Sequence, residues 1–162
     1  MAVRGIKIRP APTLHTHGWV TLGFLILTIF WGAYTAGLDA GLVYNEFPNM
    51  GEGWMPPDMW HLSPAWINLF ENIPAVQFTH RWLAIFTACF ILSLWGHGAY
   101  KKQLNWPLNT LAILVFVQVA LGIGTLLSGV SIHLAATHQA GAALLLIVMT
   151  ILLYKTKSSN SA

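Results

Sequence analysis

Two of the chain's seven histidines stand where an imidazole is hard to explain as filler. His80 lies in the run Gln77-Phe78-Thr79-His80-Arg81, which opens directly into the apolar stretch Trp82 to Leu94. His138 sits near the start of a second apolar stretch, His133 to Tyr154. Neutral imidazole is the commonest side-chain ligand of metal ions. Ionisable groups within membrane-length apolar segments carry a free-energy cost that calls for a reason. The chemistry these residues offer is ligation by His80 and His138, with the Arg81 guanidinium beside them to hold a carboxylate. Gln77, one turn before His80 on the same helical face, can hydrogen-bond but cannot take a proton as a general base.

The elements that must position these groups are read from composition. The chain has 162 residues, 56% of them hydrophobic and 8% charged. Soluble domains carry about a quarter charged residues, so a water-exposed globule is excluded in favour of a bundle of transmembrane helices. Arg4, Lys7 and Arg9 with two prolines mark the start as a basic arm, unlike a cleavable signal peptide. The net charge of +3 is no nucleic-acid footprint, because the basic residues alternate with apolar segments along the chain. The single cysteine, Cys89, is expected to be a buried packing thiol.

Four apolar segments are long enough to span a bilayer as helices: 18–36, 74–100, 107–127 and 133–154. The expected fold is therefore an all-α, integral membrane four-helix bundle over 18–154, with an arm at 1–17 and a tail at 155–162. Seven of the eight Lys and Arg residues fall in the arm, the 101–106 turn and the tail, whereas all five acids lie between the first two segments. The positive-inside rule then places both termini on the cytoplasmic side and the 37–73 loop outside. That loop holds Trp54, Trp60 and Trp66 and is expected to lie on the membrane interface, with a short helix in 63–72 capped by Ser63. Small residues recur every fourth position in two stripes (Gly32, Ala36, Ala40 and Ala33, Gly37, Gly41) and in a third (Ala120, Gly124, Ser128). Such stripes admit either a packed helix or a flat ligand.

This topology separates the histidines. His80 and His138 are each five or six residues into a helix entered from the outer face, which places both roughly 8–9 Å deep. Side chains on facing helices at equal depth can converge on one cofactor. Ala84, Thr87 and Ala88 follow His80, and Gly141 and Ala142 follow His138, leaving room for a macrocycle edge. Zinc or copper would more naturally recruit carboxylate or thiolate partners, and the intramembrane sulfurs are Cys89, on no shared stripe with His80, and Met149, far deeper than His138. Bis-histidine ligation of haem needs only the two imidazoles. A pair of hydrogen-bonded interfacial histidines is the competing reading. For Arg81, pairing with a haem propionate competes with snorkelling to the interface. His15, His17 and His97 fall at the opposite face, His133 at the start of its helix, and His61 in the loop, where it could cover the site.

Several longer motifs carry a resemblance. The run Ala36 to Met50 (AGLDAGLVYNEFPNM), Asn68-Leu69-Phe70-Glu71-Asn72, Val76 to Arg81, and Gln118 to Ile123 leading to His138-Gln139 resemble the haem A synthase (heme A synthase) family. The likeness spans nearly the whole chain and is to the C-terminal four-helix half of that family's eight-helix protein. It implies membrane enzymes that oxidise the C8 methyl of haem O to the formyl of haem A, for cytochrome oxidase assembly. It further implies His80 and His138 as ligands of a haem b (heme b) that passes electrons, with Arg81 and Gln77 beside it. In the family's first half, which holds the substrate haem, a glutamate stands three residues before the first histidine; here that position is Gln77. Ser131-Ile132 replaces a proline expected after the third helix.

The expectation is thus a haem-binding oxidoreductase half that works as a homo-oligomer or with a separate first-half protein. The alternative is a non-catalytic haem b subunit for electron transfer or haem delivery. Haem O and membrane lipid are the expected partners. The location is a bacterial-type cell membrane or the mitochondrial inner membrane.

Overall fold

The computed structural model describes residues 11–157. The basic residues expected to form the arm, at positions 4, 7 and 9, and the tail beyond 157 lie outside the described residues. Four long helices dominate: α1 (Pro12–Gly37), α3 (Ile73–Tyr100), α4 (Trp106–Leu127) and α5 (Ile132–Thr156), with a single short turn, α2 (Asn68–Glu71), in the loop before α3. The shortest of the four has 22 residues, about 33 Å at 1.5 Å per residue, enough to cross the hydrocarbon core. All four are apolar enough to span, and the protein is an integral membrane protein. Large apolar side chains such as Trp19, Phe30, Ile113 and Phe116 point away from the bundle, as helices solvated by lipid require.

Local sequence sets the helix ends. Pro12, Pro74 and Pro107 each occupy the first helical turn, where the missing N–H is not needed. The Asn72 side chain accepts from Ala75 N at 3.1 Å and the Asn105 side chain from Leu108 N at 3.3 Å, so asparagine caps both α3 and α4. α1 begins six residues before the apolar run does, because the polar turn His15-Thr16-His17 is tolerated inside the helix. The link from α4 to α5 turns through Gly129 and Val130, both at positive φ (65° and 61°). For a β-branched residue that is a strained conformation, held by Val130 N donating to Thr125 O at 2.9 Å.

The helices pack as a ring in the order α1, α3, α4, α5, closing back on α1. α1 with α3 and α4 with α5 are the extensive pairs, whereas the diagonal pairs α1/α4 and α3/α5 hardly touch. The packed core is confined to the end that holds the described termini: Leu14, Leu22, Leu25, Ile91, Leu94, Leu108, Leu111, Met149 and Leu152. Nothing from Phe116 to Leu144 is buried, so the half of the bundle nearer the loop is less tightly filled.

The loop from 38 to 72 folds over that less filled end. Phe70 of α2 packs on Trp31 and Tyr34 of α1, with ring centroids 5.7 and 6.1 Å apart. Met50 and Met59 are buried beneath it, while Trp54, Trp60 and Trp66 are exposed as an interfacial belt would be. Ser63 does not cap a helix. A 3₁₀ turn runs Ala65–Ile67 with extended Pro64 as its cap residue, and α2 follows from Asn68. Asn68 instead ties the preceding chain down: its side chain accepts from Leu62 N (3.0 Å) and donates to the carbonyls of Leu62 (2.8 Å) and Ala65 (2.9 Å). Cys89 is also placed differently from expectation: it is exposed, because its position on α3 faces away from the ring.

Candidate functional site

His80 on α3 and His138 on α5 stand on diagonal helices of the ring. They lie seven and six residues from their helix starts, at depths of about 10 and 9 Å. The depth match expected from topology is present. Neither imidazole makes a hydrogen bond among the described residues, and Nδ1 of each is buried without a partner. With Nδ1 turned into protein, Nε2 is the nitrogen free to meet a ligand. Among the described residues no third His, Cys, Asp or Glu joins the pair, so the side chains alone do not make a three-ligand site for a bare ion.

The environments of the two histidines repeat. A Cβ on Gly32 of α1 would lie 2.9 Å from His80 Cε1, and a Cβ on Gly122 of α4 would lie 2.9 Å from His138 Cε1. Each imidazole edge therefore rests on a bare Cα of the neighbouring helix. Around His80 the two helices are joined by Thr28 Oγ1 and Thr87 Oγ1 at 2.7 Å. Around His138 they are joined by Gln118 Nε2, which donates to the His138 carbonyl at 2.8 Å.

The other residues singled out in the sequence are distributed as follows. Arg81 donates from Nη1 to the carbonyls of Glu46 (2.9 Å) and Asn49 (3.1 Å), and from Nη2 to that of Tyr44 (2.8 Å). Its Nε remains buried and unpartnered. Gln77 is buried and donates from Nε2 to the same Tyr44 carbonyl at 2.9 Å, leaving Oε1 unpartnered. His61 is exposed. Its Nδ1 lies 2.6 Å from Asp58 O and 3.0 Å from Asn72 Nδ2, inside the loop. His133 is exposed. At the opposite end of the bundle, His17 and His97 meet through their Nδ1 atoms at 3.2 Å, and His15 meets Thr156 Oγ1 at 3.1 Å.

The small-residue stripes also resolve. α1 ends at Gly37, so Ala40 and Gly41 belong to a separate turn, and a Cβ at Gly37 would meet nothing within 4 Å. Ala120 and Ser128 are exposed. The space left by Gly141 is taken by the Gln118 side chain. Gly18 and Gly98 approach leucine side chains closely, whereas Gly32, from the first stripe, and Gly122 approach the two histidine rings. Gly122 lies inside the motif Gln118 to Ile123, but no spacing rule on one helix picks out the glycine that will face a histidine on the next.

Fold and site together define a four-helix membrane bundle carrying a half-buried histidine pair, Nδ1 of each ring buried, at its loop end. The family model described as "Cytochrome oxidase assembly protein" matches residues 5–150. A heme A synthase of Rhodospirillum centenum is 46% identical over 153 residues, covering 88% of this chain and 41% of the relative. The human protein named heme A synthase COX15 is 47% identical over 133 residues, 80% of this chain and 32% of its own length. One from Mesorhizobium japonicum is 38% identical over 155 residues, 90% of this chain and 42% of the relative. The chain belongs to this cytochrome oxidase assembly family of heme A synthases. It spans well under half the length of these relatives.

Proposed function

We propose that this chain binds one haem b through His80 and His138 and serves haem A biosynthesis as the electron-transfer half of an oxidoreductase. The substrate of the assembled enzyme would be haem O, whose C8 methyl is oxidised to formyl. The observation that carries the reading is the matched pair: two histidines at one depth on diagonal helices, each with Nδ1 buried and its edge on a glycine. Those residues fit the cofactor. Haem iron is held by imidazole nitrogens, which His80 and His138 would supply from matched depths on their helices.

When bound there, haem b supplies a one-electron carrier within the membrane. The chain's own residues do the rest. His80 and His138 would hold the iron through Nε2. Arg81, its Nη groups engaged by the loop, has Nε–H left for a cofactor carboxylate. The loop over the site excludes water, held down by Gln77 and Arg81. The N-terminal arm, the 101–106 turn and the tail face the cytoplasm in this reading, and the site faces the outer leaflet.

Gln77 favours division of labour. Its amide offers no carboxylate for proton transfer, so oxidation of the haem O methyl is assigned to a partner half, whether a separate first-half protein or another copy. The test is haem extraction from cells supplied with haem O. Haem A should appear when a first-half protein is co-expressed and not with this chain alone. Haem A made by this chain alone would overturn the division of labour. No haem A in either arm, from a preparation loaded with haem b, would leave a haem-delivery or electron-transfer subunit as the correct assignment.

A further inference from the structure

We infer that Gly32 and Gly122 are positioning residues for the histidine pair: each bare Cα admits an imidazole edge and uncovers a helical carbonyl, of Thr28 or Gln118, that takes the Nδ1 proton. The inference rests on the bis-histidine reading above and deepens it.

The physical argument begins with helix geometry. A side chain on an α-helix leans toward the N-terminus and covers the turn before its own Cα. A residue at i+4 therefore shields the outward lone pair of carbonyl i. Gly32 is four residues after Thr28, and Gly122 is four residues after Gln118. With no Cβ at either position, both carbonyls stay open on the helix face that is turned to a histidine. A Cβ would fall 2.9 Å from Cε1 and 3.4 or 3.5 Å from Nδ1, displacing the ring from the carbonyl in each case.

The chemistry follows from the two nitrogens of imidazole. Nδ1 of both rings is buried without a hydrogen-bond partner, and the carbonyl that each glycine uncovers is the acceptor inferred for it. A proton held on Nδ1 by a carbonyl fixes the tautomer that leaves the Nε2 lone pair for a metal. Such outer partners also set ring orientation and raise ligand basicity. The same device occurs twice, on α1 for α3 and on α4 for α5, across loop connections of unrelated length. Gly18 and Gly98 are as closely approached, but by leucines; only Gly32 and Gly122 among the described glycines meet a histidine ring.

The experiment uses the full chain, purified with haem. Gly32→Ala and Gly122→Ala are compared with Gly23→Ala, a control on the same helix as Gly32 where a Cβ meets nothing within 4 Å. The first two should bind haem about 10–100-fold more weakly. They should also shift the low-spin electron paramagnetic resonance spectrum and raise the midpoint potential, since a less basic imidazole stabilises ferric iron less. Gly23→Ala should match wild type. If all three variants match wild type, the inference is overturned. Should the alanine variants fail to fold, pulsed resonance on oxidised wild type reads the remote nitrogens directly. Couplings of hydrogen-bonded Nδ1–H support the inference, and those of free Nδ1–H overturn it. A wild-type chain without bis-histidine haem fails at the underlying reading; a haem-loaded wild type indifferent at both glycines fails at this inference alone.

Discussion

Gln77 and Arg81, four residues apart on α3, donate to one acceptor, the backbone carbonyl of Tyr44, at 2.9 and 2.8 Å. Together they pin the loop segment 44–49 over the histidine pair, with Arg81 reaching on to the carbonyls of Glu46 and Asn49. The residue beside the pair that could have been a proton acceptor is thus a structural donor. That relationship orders the first two expectations.

Arg81→Ala should destabilise the loop more than Gln77→Ala. Arg81 is half-buried and makes three bonds from a charged donor, against one from a neutral amide. Hydrogen bonds to charged groups contribute about 1.5–3 kcal/mol and neutral ones about 1 kcal/mol. The expected losses are about 2–3 kcal/mol for Arg81→Ala and about 1 kcal/mol for Gln77→Ala, read by denaturation in detergent. Proteolysis within 44–50 should follow the same order. Equal losses would mean that Arg81 does not hold the loop.

Gln77→Glu is the substitution that installs the carboxylate of the family's other half. In this structure it removes the only donor Gln77 gives to Tyr44 and sets a carboxylate against a carbonyl. The expected result is a loss of about 1–3 kcal/mol and no haem A formation by the chain alone. A variant as stable as wild type that produced haem A would contradict both parts.

Asn68→Ala should be the most damaging single change in the loop. The Asn68 side chain is fully buried and satisfies both backbone groups of Leu62 and the Ala65 carbonyl, besides accepting from Asn72. Truncation strands buried polar groups, at about 1–3 kcal/mol each. Faster proteolysis around Leu62 and lower haem retention are expected, whereas Asn68→Asp should keep the bond from Leu62 N and lose those to the carbonyls.

Tyr44 provides a pH-dependent signature outside the membrane. Burial first, and then its hydrogen bond to Asp58 with the Asp58 and Glu46 charges, hold the phenol above its ordinary range near 10. A raised folded value means that the contribution is fully present below the unfolded pKa and is lost as pH rises through the folded one. An absorbance titration of the phenols should show a late component that Tyr44→Phe removes. An unchanged titration in that variant would place the late component elsewhere.

How far the sequence carried these features depends on what each one needs. The depths of His80 and His138 require only helix starts and a constant rise per residue, and they were legible. The four spans were equally legible, because twenty apolar residues leave few alternatives. Gly32 and Gly122 were not, since which helix faces a histidine depends on the ring order α1, α3, α4, α5, which no single segment encodes. The role of Gln77 was half legible: its inability to act as a base is in its chemistry, but its partner, Tyr44, is 33 residues away in an irregular loop. Ser63 looked like a cap because serine before proline fits the pattern. No side chain caps the 3₁₀ turn or α2; Asn68 reaches backward from inside the helix to hold Leu62 and the Ala65 carbonyl, which a search for cap residues does not anticipate. Cys89 faces outward because apolarity in a membrane helix marks the lipid face as much as the core.

The central claim is that His80 and His138 jointly hold one haem. It is tested most directly by the reduced-minus-oxidised absorption spectrum of the purified chain after expression with haem supplied. The account predicts sharp α and β bands of a low-spin bis-histidine haem at one haem per chain, lost in His80→Ala and in His138→Ala alike. A wild-type preparation without haem, or bands that survive both substitutions, would contradict it.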